Sequence, residues 1–282
     1  SNVVAAASSY QTSILVSNDG APPQTLVYNT NGFVYVAARR TPANYFKYNA
    51  TNLNATRTDI NFPTGGNHNQ IYDQFYSSAR GSNYLLFHIS GKLTVVAVDP
   101  TTMGTNDLII GDTTIGNAYS FCELGGKIFV SGYSASSWLQ INSYNITNGA
   151  AIEAVEVLDY NGGAIIRSDG TNVFAMGTYG TNNLFATVRF APNNVAGYTL
   201  VESTFSVTNP LSTVISHVPM LAGDFFYIPT DTRLGIMRLD KRSLKIDQLF
   251  TGLNGSSGQC WYDGGFYGYF PVYNLSNAPA NG

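Results

Sequence analysis

The chain reads as an all-β protein built from repeated four-stranded antiparallel sheets, and three observations carry that reading. A turn of Gly, Asn or Asp followed directly by a short apolar run occurs six times. The copies start roughly 40 to 52 residues apart, the span of four short strands with their turns. The composition also suits strands and turns: 28 Gly, 19 Tyr and 16 Phe, with charged residues at only 11%. Aromatic and β-branched side chains fill pleated faces, while Gly and Asn take turn positions with positive φ.

The clearest copy runs from Asn117 to Gly162. Strands are expected at 118–124, 127–132, 138–145 and 152–158, with turns at Gly125-Gly126, 133–137 and Thr147-Asn148-Gly149. Such a meander leaves apolar faces that a single sheet cannot cover, so it needs copies of itself to pack against.

The second strand of each copy is the easiest to find. Asn31-Gly32 precedes 33–38, Gly81-Ser82-Asn83 precedes 84–88, and Gly125-Gly126 precedes 127–130. Asp169-Gly170-Thr171-Asn172 precedes 173–176, Gly223-Asp224 precedes 225–228, and Asp263-Gly264-Gly265 precedes 266–270. Third strands follow at 45–49, 93–99, 184–190 and 234–240. Val98-Asp99-Pro100-Thr101-Thr102 and Leu239-Asp240-Lys241-Arg242-Ser243 share a strand–Asp–turn pattern. Fourth strands are expected at 56–62, 107–111, 152–158, 198–206 and 244–250.

The sixth copy is incomplete, with strands only at 259–262 and 266–273. The N-terminus offers the missing pair at 3–10 and 12–17, followed by the turn Asn18-Asp19-Gly20. Sharing a sheet between the chain ends would close a ring without an open edge.

These units resemble the blades of six-bladed β-propellers, over the whole chain. The resemblance implies one domain spanning 1–282, with blades at 24–65, 66–116, 117–162, 163–210, 211–257, and 258–282 with 1–20. A seven-bladed ring or a two-sheet sandwich stays open. The Asp-rich repeat of low-density-lipoprotein-receptor-type propellers and the Gly-His…Trp-Asp signature of WD40 blades are absent, and the metal set of gluconolactonase-like propellers has no placeable equivalent.

Fourteen Lys and Arg against seventeen Asp and Glu give a net charge of −3. The densest basic stretch, 238–245, falls on an expected hairpin, so nucleic acid is not expected as a partner. No apolar run approaches the roughly 18 residues of a membrane span. The start Ser1-Asn2-Val3-Val4, without an initiator Met, reads as a processed or excised form. Asn-x-Ser/Thr sequons at Asn49, Asn54, Asn145, Asn254 and Asn274 mark glycosylation candidates and lean towards an extracellular, cell-surface or virion setting.

In a propeller the loops entering the inner strands, with those between second and third strands, make the face where ligands usually bind. His68, Tyr119, Arg39, Tyr179 and His217 are the candidate ligand-binding residues there. His88, among Leu86, Phe87 and Ile89, is expected to be structural. No spacing makes the three His converge with a carboxylate, so neither a metal nor any other cofactor is expected. No Gly-x-Ser-x-Gly turn with partners supports a Ser-His-Asp triad, and no catalytic residue is assigned. A set of His68, Tyr119, His217 and Arg167 is the nearest approach to acid/base machinery on a polysaccharide.

The expected function is non-catalytic: binding of a glycan or protein surface, or self-assembly. Two alternatives remain, a glycan-active lyase or hydrolase using the channel mouth, and a filament or phage-tail subunit. Cys122 and Cys260 are expected on inner strands of opposite blades, too far apart for a disulfide and therefore reduced.

Overall fold

The computed structural model describes residues 23–29, 31–38, 42–49, 51–52, 57–62, 66–89, 92–161, 164–179, 184–204, 219–229, 236–250, 261–262 and 268–269. They form five four-stranded antiparallel sheets and one two-stranded pair. Blade 1 is β1 (Pro23–Asn29), β2 (Phe33–Ala38), β3 (Asn44–Asn49) and β4 (Thr58–Asn61). Blade 2 is β5 (Ile71–Ser77), β6 (Ser82–Ile89), β7 (Lys92–Val98) and β8 (Thr105–Asp112). Blade 3 is β9 (Asn117–Leu124), β10 (Lys127–Tyr133), β11 (Trp138–Asn145) and β12 (Ala151–Asn161). Blade 4 is β13 (Ile165–Ser168), β14 (Val173–Tyr179), β15 (Leu184–Ala191) and β16 (Asn194–Thr204). Blade 5 is β17 (Met220–Ala222), β18 (Phe225–Pro229), β19 (Ile236–Asp240) and β20 (Lys245–Phe250).

Each blade is a meander in which every strand pairs with the next in sequence. The first strands β1, β5, β9 and β13 stand side by side in order, so they form the inner ring and the fourth strands form the rim. The architecture is a β-propeller of four-stranded blades.

The blade count differs from the expected six: the described residues complete five. Where the sixth was expected, only β21 (Trp261–Tyr262) and β22 (Gly268–Tyr269) pair. The segment 1–20, expected to supply its other strands, lies outside the described residues, as do Cys260 and the turn Asp263-Gly264-Gly265. A turn followed by an apolar run specifies a hairpin, and a hairpin is half a blade. The motif carries no information about strands three and four.

Packing explains why second strands read as unbroken apolar runs. Both faces of a blade are covered by neighbours, so both parities of a strand must be apolar. On β6, Leu85 and Phe87 join Tyr35, Tyr45 and Ile71 between blades 1 and 2. Leu86, of opposite parity, joins Val95, Phe121 and Ile128 between blades 2 and 3. Cys122, Phe129, Leu139, Ile166 and Val188 fill the next interface, and Phe174, Phe185, Phe226 and Met237 the one after. Each large buried side chain contributes about 1.5–3 kcal/mol of transfer free energy.

Among the described residues an aromatic pair bridges each of four interfaces: Phe62–Phe87 at 4.8 Å, Phe75–Phe121 at 4.6 Å, Phe129–Phe190 at 5.6 Å and Phe174–Phe226 at 5.1 Å between centroids. Wedge-shaped gaps between radiating sheets call for such bulky, rigid fillers. Cations add a second link at the turns. Lys47 Nζ donates to the Pro100 carbonyl at 2.6 Å, Arg80 to the Thr147 hydroxyl, and Lys127 Nζ to the Pro192 carbonyl at 2.9 Å. Between blades 4 and 5, Lys241 pairs with Asp169 at 3.2 Å.

Candidate functional site

Two regions have functional potential, the inner ring and the rim. At the ring, three successive inner strands each contribute one polar residue. Asp73 on β5 is 2% exposed, and Arg167 on β13 is 16% exposed. Arg167 grips the carboxylate with both ends of its fork: Nη1 to Oδ2 at 2.9 Å and Nη2 to Oδ1 at 3.0 Å. Ser120 on β9 donates its hydroxyl to Asp73 Oδ2 at 2.7 Å and receives Arg167 Nη1 at 2.8 Å and the Ile166 amide at 3.2 Å. The Phe121 amide adds a bond to Asp73 Oδ2 at 3.1 Å. A bidentate, hydrogen-bonded pair of this kind satisfies itself. It fastens blades 2, 3 and 4 together at the axis, and its lone pairs and protons are directed inward at one another.

From the sequence Arg167 is expected only within an acid/base set with His68, Tyr119 and His217, whereas in the structure its guanidinium is committed to Asp73. The available signal for Asp73 was a lone carboxylate in an aromatic inner strand, Ile71-Tyr72-Asp73-Gln74-Phe75-Tyr76, in a chain poor in acids.

Of the five candidate ligand-binding residues, the side chains of His68 and Tyr119 are described. His68 lies in the passage from blade 1 to blade 2, where its Nε2 is 3.0 Å from Asp107 Oδ1. Its ring stacks on Phe62 at 5.6 Å and meets the edge of Phe87 at 5.3 Å. Asp107 belongs to β8, so His68 looks outward along the blade rather than towards the axis. Tyr119 does lie on an inner strand, half-buried, with its ring edge-on to Tyr133 at 5.2 Å. Tyr179 ends β14, its side chain being outside the described set; Arg39 and His217 lie outside the described residues altogether. His88 has a structural setting: Nε2 is 3.2 Å from the Gly116 carbonyl and the ring is edge-on to Tyr72. Among the described residues, no three His, Cys, Asp or Glu side chains gather as a metal site would require, and no helix is long and apolar enough to cross a membrane.

Two sequons have a structural use. Asn49 Oδ1 accepts the amides of Thr51 at 2.9 Å and Asn52 at 3.1 Å, and Asn145 Oδ1 accepts that of Thr147 at 2.7 Å. Asp99 and Asp240 make the same bonds at the same place in blades 2 and 5, to Thr101 at 2.7 Å and Arg242 at 2.8 Å. An Asx whose Oδ1 accepts the amide two residues on is thus the signature of the turn between third and fourth strands in blades 1, 2, 3 and 5. Thr takes the third position in the first three of them, and with Asn at the first it creates the sequon pattern of blades 1 and 3. Asn54, Asn254 and Asn274 lie outside the described residues.

The rim supplies what the ring lacks. Ile110 is 61% exposed, Ile152 48% and Leu158 61%, on the fourth strands of adjacent blades 2 and 3. All three fall where strand pairing skips. Ile109 pairs with Val95 and Asp112 with Leu93, leaving Ile110 and Gly111 over. Glu153 pairs with Ser143 but Ala151 with Tyr144, leaving Ile152 over. Val157 pairs with Leu139 and Asn161 with Trp138, leaving Leu158 in the next irregularity. A bulge re-aims the extra residue away from the pleat, and here it carries an aliphatic side chain into solvent each time.

No family model matches the chain, and no curated protein matches it in sequence. Solved structures do share its fold. The crystal structure of a nidogen/laminin complex superposes with a TM-score of 0.60 at 10% identity, over 82% of this chain and 81% of that one. Hydrazine synthase from Kuenenia stuttgartiensis gives 0.55 at 12% identity, over 93% and 96%. TolB from Acinetobacter baumannii gives 0.52 at 14%, over 78% of this chain but 52% of its own. At these identities the likeness is one of fold alone.

Proposed function

We propose that the protein is a non-catalytic binding propeller whose rim at blades 2 and 3 docks a partner protein, in an extracellular, cell-surface or virion setting. The observation that carries this reading is the set of three exposed aliphatics, Ile110, Ile152 and Leu158. No core demands them there, since neighbouring Ile109 and Val157 already supply the buried contacts. Exposed aliphatics gathered on the rim strands of two adjacent blades are the feature from which we read a surface covered in use. The inner ring is consistent with the same reading, because Asp73 and Arg167 there are spent on one another rather than turned to a ligand. The superposition on a chain from a nidogen/laminin complex is consistent with a propeller that engages proteins.

The test is to immobilise the protein, expose it to extracts of its native source, cross-link, and map the linked residues. Linkage of one protein through β8 and β12, lost in Ile152→Lys/Leu158→Lys, supports the reading. Retention of a polysaccharide at the inner-ring mouth, or its shortening, would replace it with the glycan-active alternative.

A further inference from the structure

We infer that β12 accepts an extended segment of basic and apolar residues as an added strand; this rests on the rim reading and specifies its partner. β12 is the outermost strand of its blade and pairs only with β11 within it. Its middle, Glu153 to Val157, is in unbroken register with Leu139 to Ser143. That gives a straight edge of about 17 Å at roughly 3.4 Å per residue. The two exposed aliphatics Ile152 and Leu158 bracket this edge at its ends.

Natural edges are usually blunted by charges (Lys above all), by Pro, by β-bulges or by being very short, and the bulges of β12 fall at the ends of its straight middle. β4 has four residues, and β20 begins with Lys245. β12 and β16 each have eleven residues and neither Lys nor Pro, and β12 is the one of the two that carries three acids and the exposed aliphatics Ile152 and Leu158. Its charges are all of one sign: Glu153, Glu156 and Asp159, with no Lys or Arg from Ala151 to Asn161. Glu153 and Glu156 are partly exposed, and Glu156 accepts the Ser134 hydroxyl. Directly opposed unlike charges stabilise neighbouring strands, and like charges destabilise them. A second copy of β12 would bring acid to acid, so the charge favours a basic partner over self-pairing. Backbone bonds along the edge would supply affinity and the flanking aliphatics would anchor the ends.

The test uses an end-blocked Lys-Val-Lys-Val-Lys-Val-Lys peptide, its Glu-Val counterpart, and the Lys-Val peptide with alternate amides N-methylated. Binding to the whole chain is read by fluorescence anisotropy, and hydrogen exchange locates it. The Lys-Val peptide is expected to bind at least about tenfold more tightly than either control, and to slow exchange within 151–161. Ile152→Lys/Leu158→Lys should weaken binding about tenfold with the melting curve unchanged. Glu153→Gln, a milder change, should weaken it less and in the same direction. Equal binding of the N-methylated peptide, protection elsewhere, or a dimer joined through β12 would overturn the inference. If the variants lose capture of the native partner while the Lys-Val peptide fails to bind, the rim reading stands and strand addition falls.

Discussion

At the scale of single residues, turn chemistry explains several side chains that invite a functional reading. Asn49, Asp99, Asn145 and Asp240 are interchangeable answers to one demand, an Oδ1 that accepts the amide two residues on. Asn145→Asp should leave stability nearly unchanged, while Asn145→Ala should cost about 1 kcal/mol in urea unfolding. Titration separates the Asp versions from the Asn ones. Backbone amides of Thr102 and Thr101 hold the Asp99 carboxyl below its usual range, and that of Arg242 does the same for Asp240. A lowered folded pKa contributes stability that is complete above the unfolded value of 3.8 and disappears as pH falls through the folded value. Asp99→Asn/Asp240→Asn should therefore lose less stability than the parent between about pH 6 and about pH 3, compared by denaturation midpoint. Cys122 was legible as a buried thiol from its place on an inner strand. It is free, and burial pushes its thiol up to about 12. Native protein at about pH 8 should leave it unlabelled by a thiol reagent until denaturant is added.

At the scale of elements, sequence patterns located the strands and missed the way blades lock. Second strands were legible because burial on both faces requires apolar residues at both parities, as in Tyr84-Leu85-Leu86-Phe87. The turn after the third strand was legible as strand–Asp–turn in blades 2 and 5, but its fifth position was not. That position is left-handed in three blades, at Met103 (φ 59°), Gly149 (φ 69°) and Leu244 (φ 61°). Met103 and Leu244 accept the strain and bury their side chains between blades. Gly149 has no such freedom, since a Cβ there would lie 2.0 Å from the Leu108 carbonyl of blade 2. Gly149→Ala should cost about 2–4 kcal/mol, from both φ and overlap. Gly32→Ala, also left-handed (φ 84°) but in open space, should cost only about 1–2 kcal/mol. Equal costs at the two sites would mean that blade 3 does not rest on β8.

At the scale of the molecule, long-range polar pairing was the least legible feature. Asp73 and Arg167 are 94 residues apart, and no local pattern signals that they meet. Their pairing decides how the inner ring is read. Removing one partner, as in Asp73→Ala or Arg167→Met, should cost about 3–5 kcal/mol by stranding a buried charge. The double variant Asp73→Leu/Arg167→Met should recover much of that loss, measured by urea unfolding. His68 was expected at the channel because it precedes an inner strand, yet it turns outward to Asp107. The rim aliphatics escaped notice for a related reason. Ile110, Ile152 and Leu158 look like ordinary strand residues until the register shows that each falls in a bulge. The count of six blades exceeds the five that the described residues complete, because its sixth joined a C-terminal hairpin signal to strands expected at 3–10 and 12–17, outside the described residues.

Hydrogen exchange on the protein alone and in its native assembly tests whether this propeller works from its rim. Exchange is expected to slow in 105–112 and 151–161, with 117–124 unchanged. Slowing confined to 67–69 and 117–124 would place the working surface at the inner-ring mouth and contradict action from the rim.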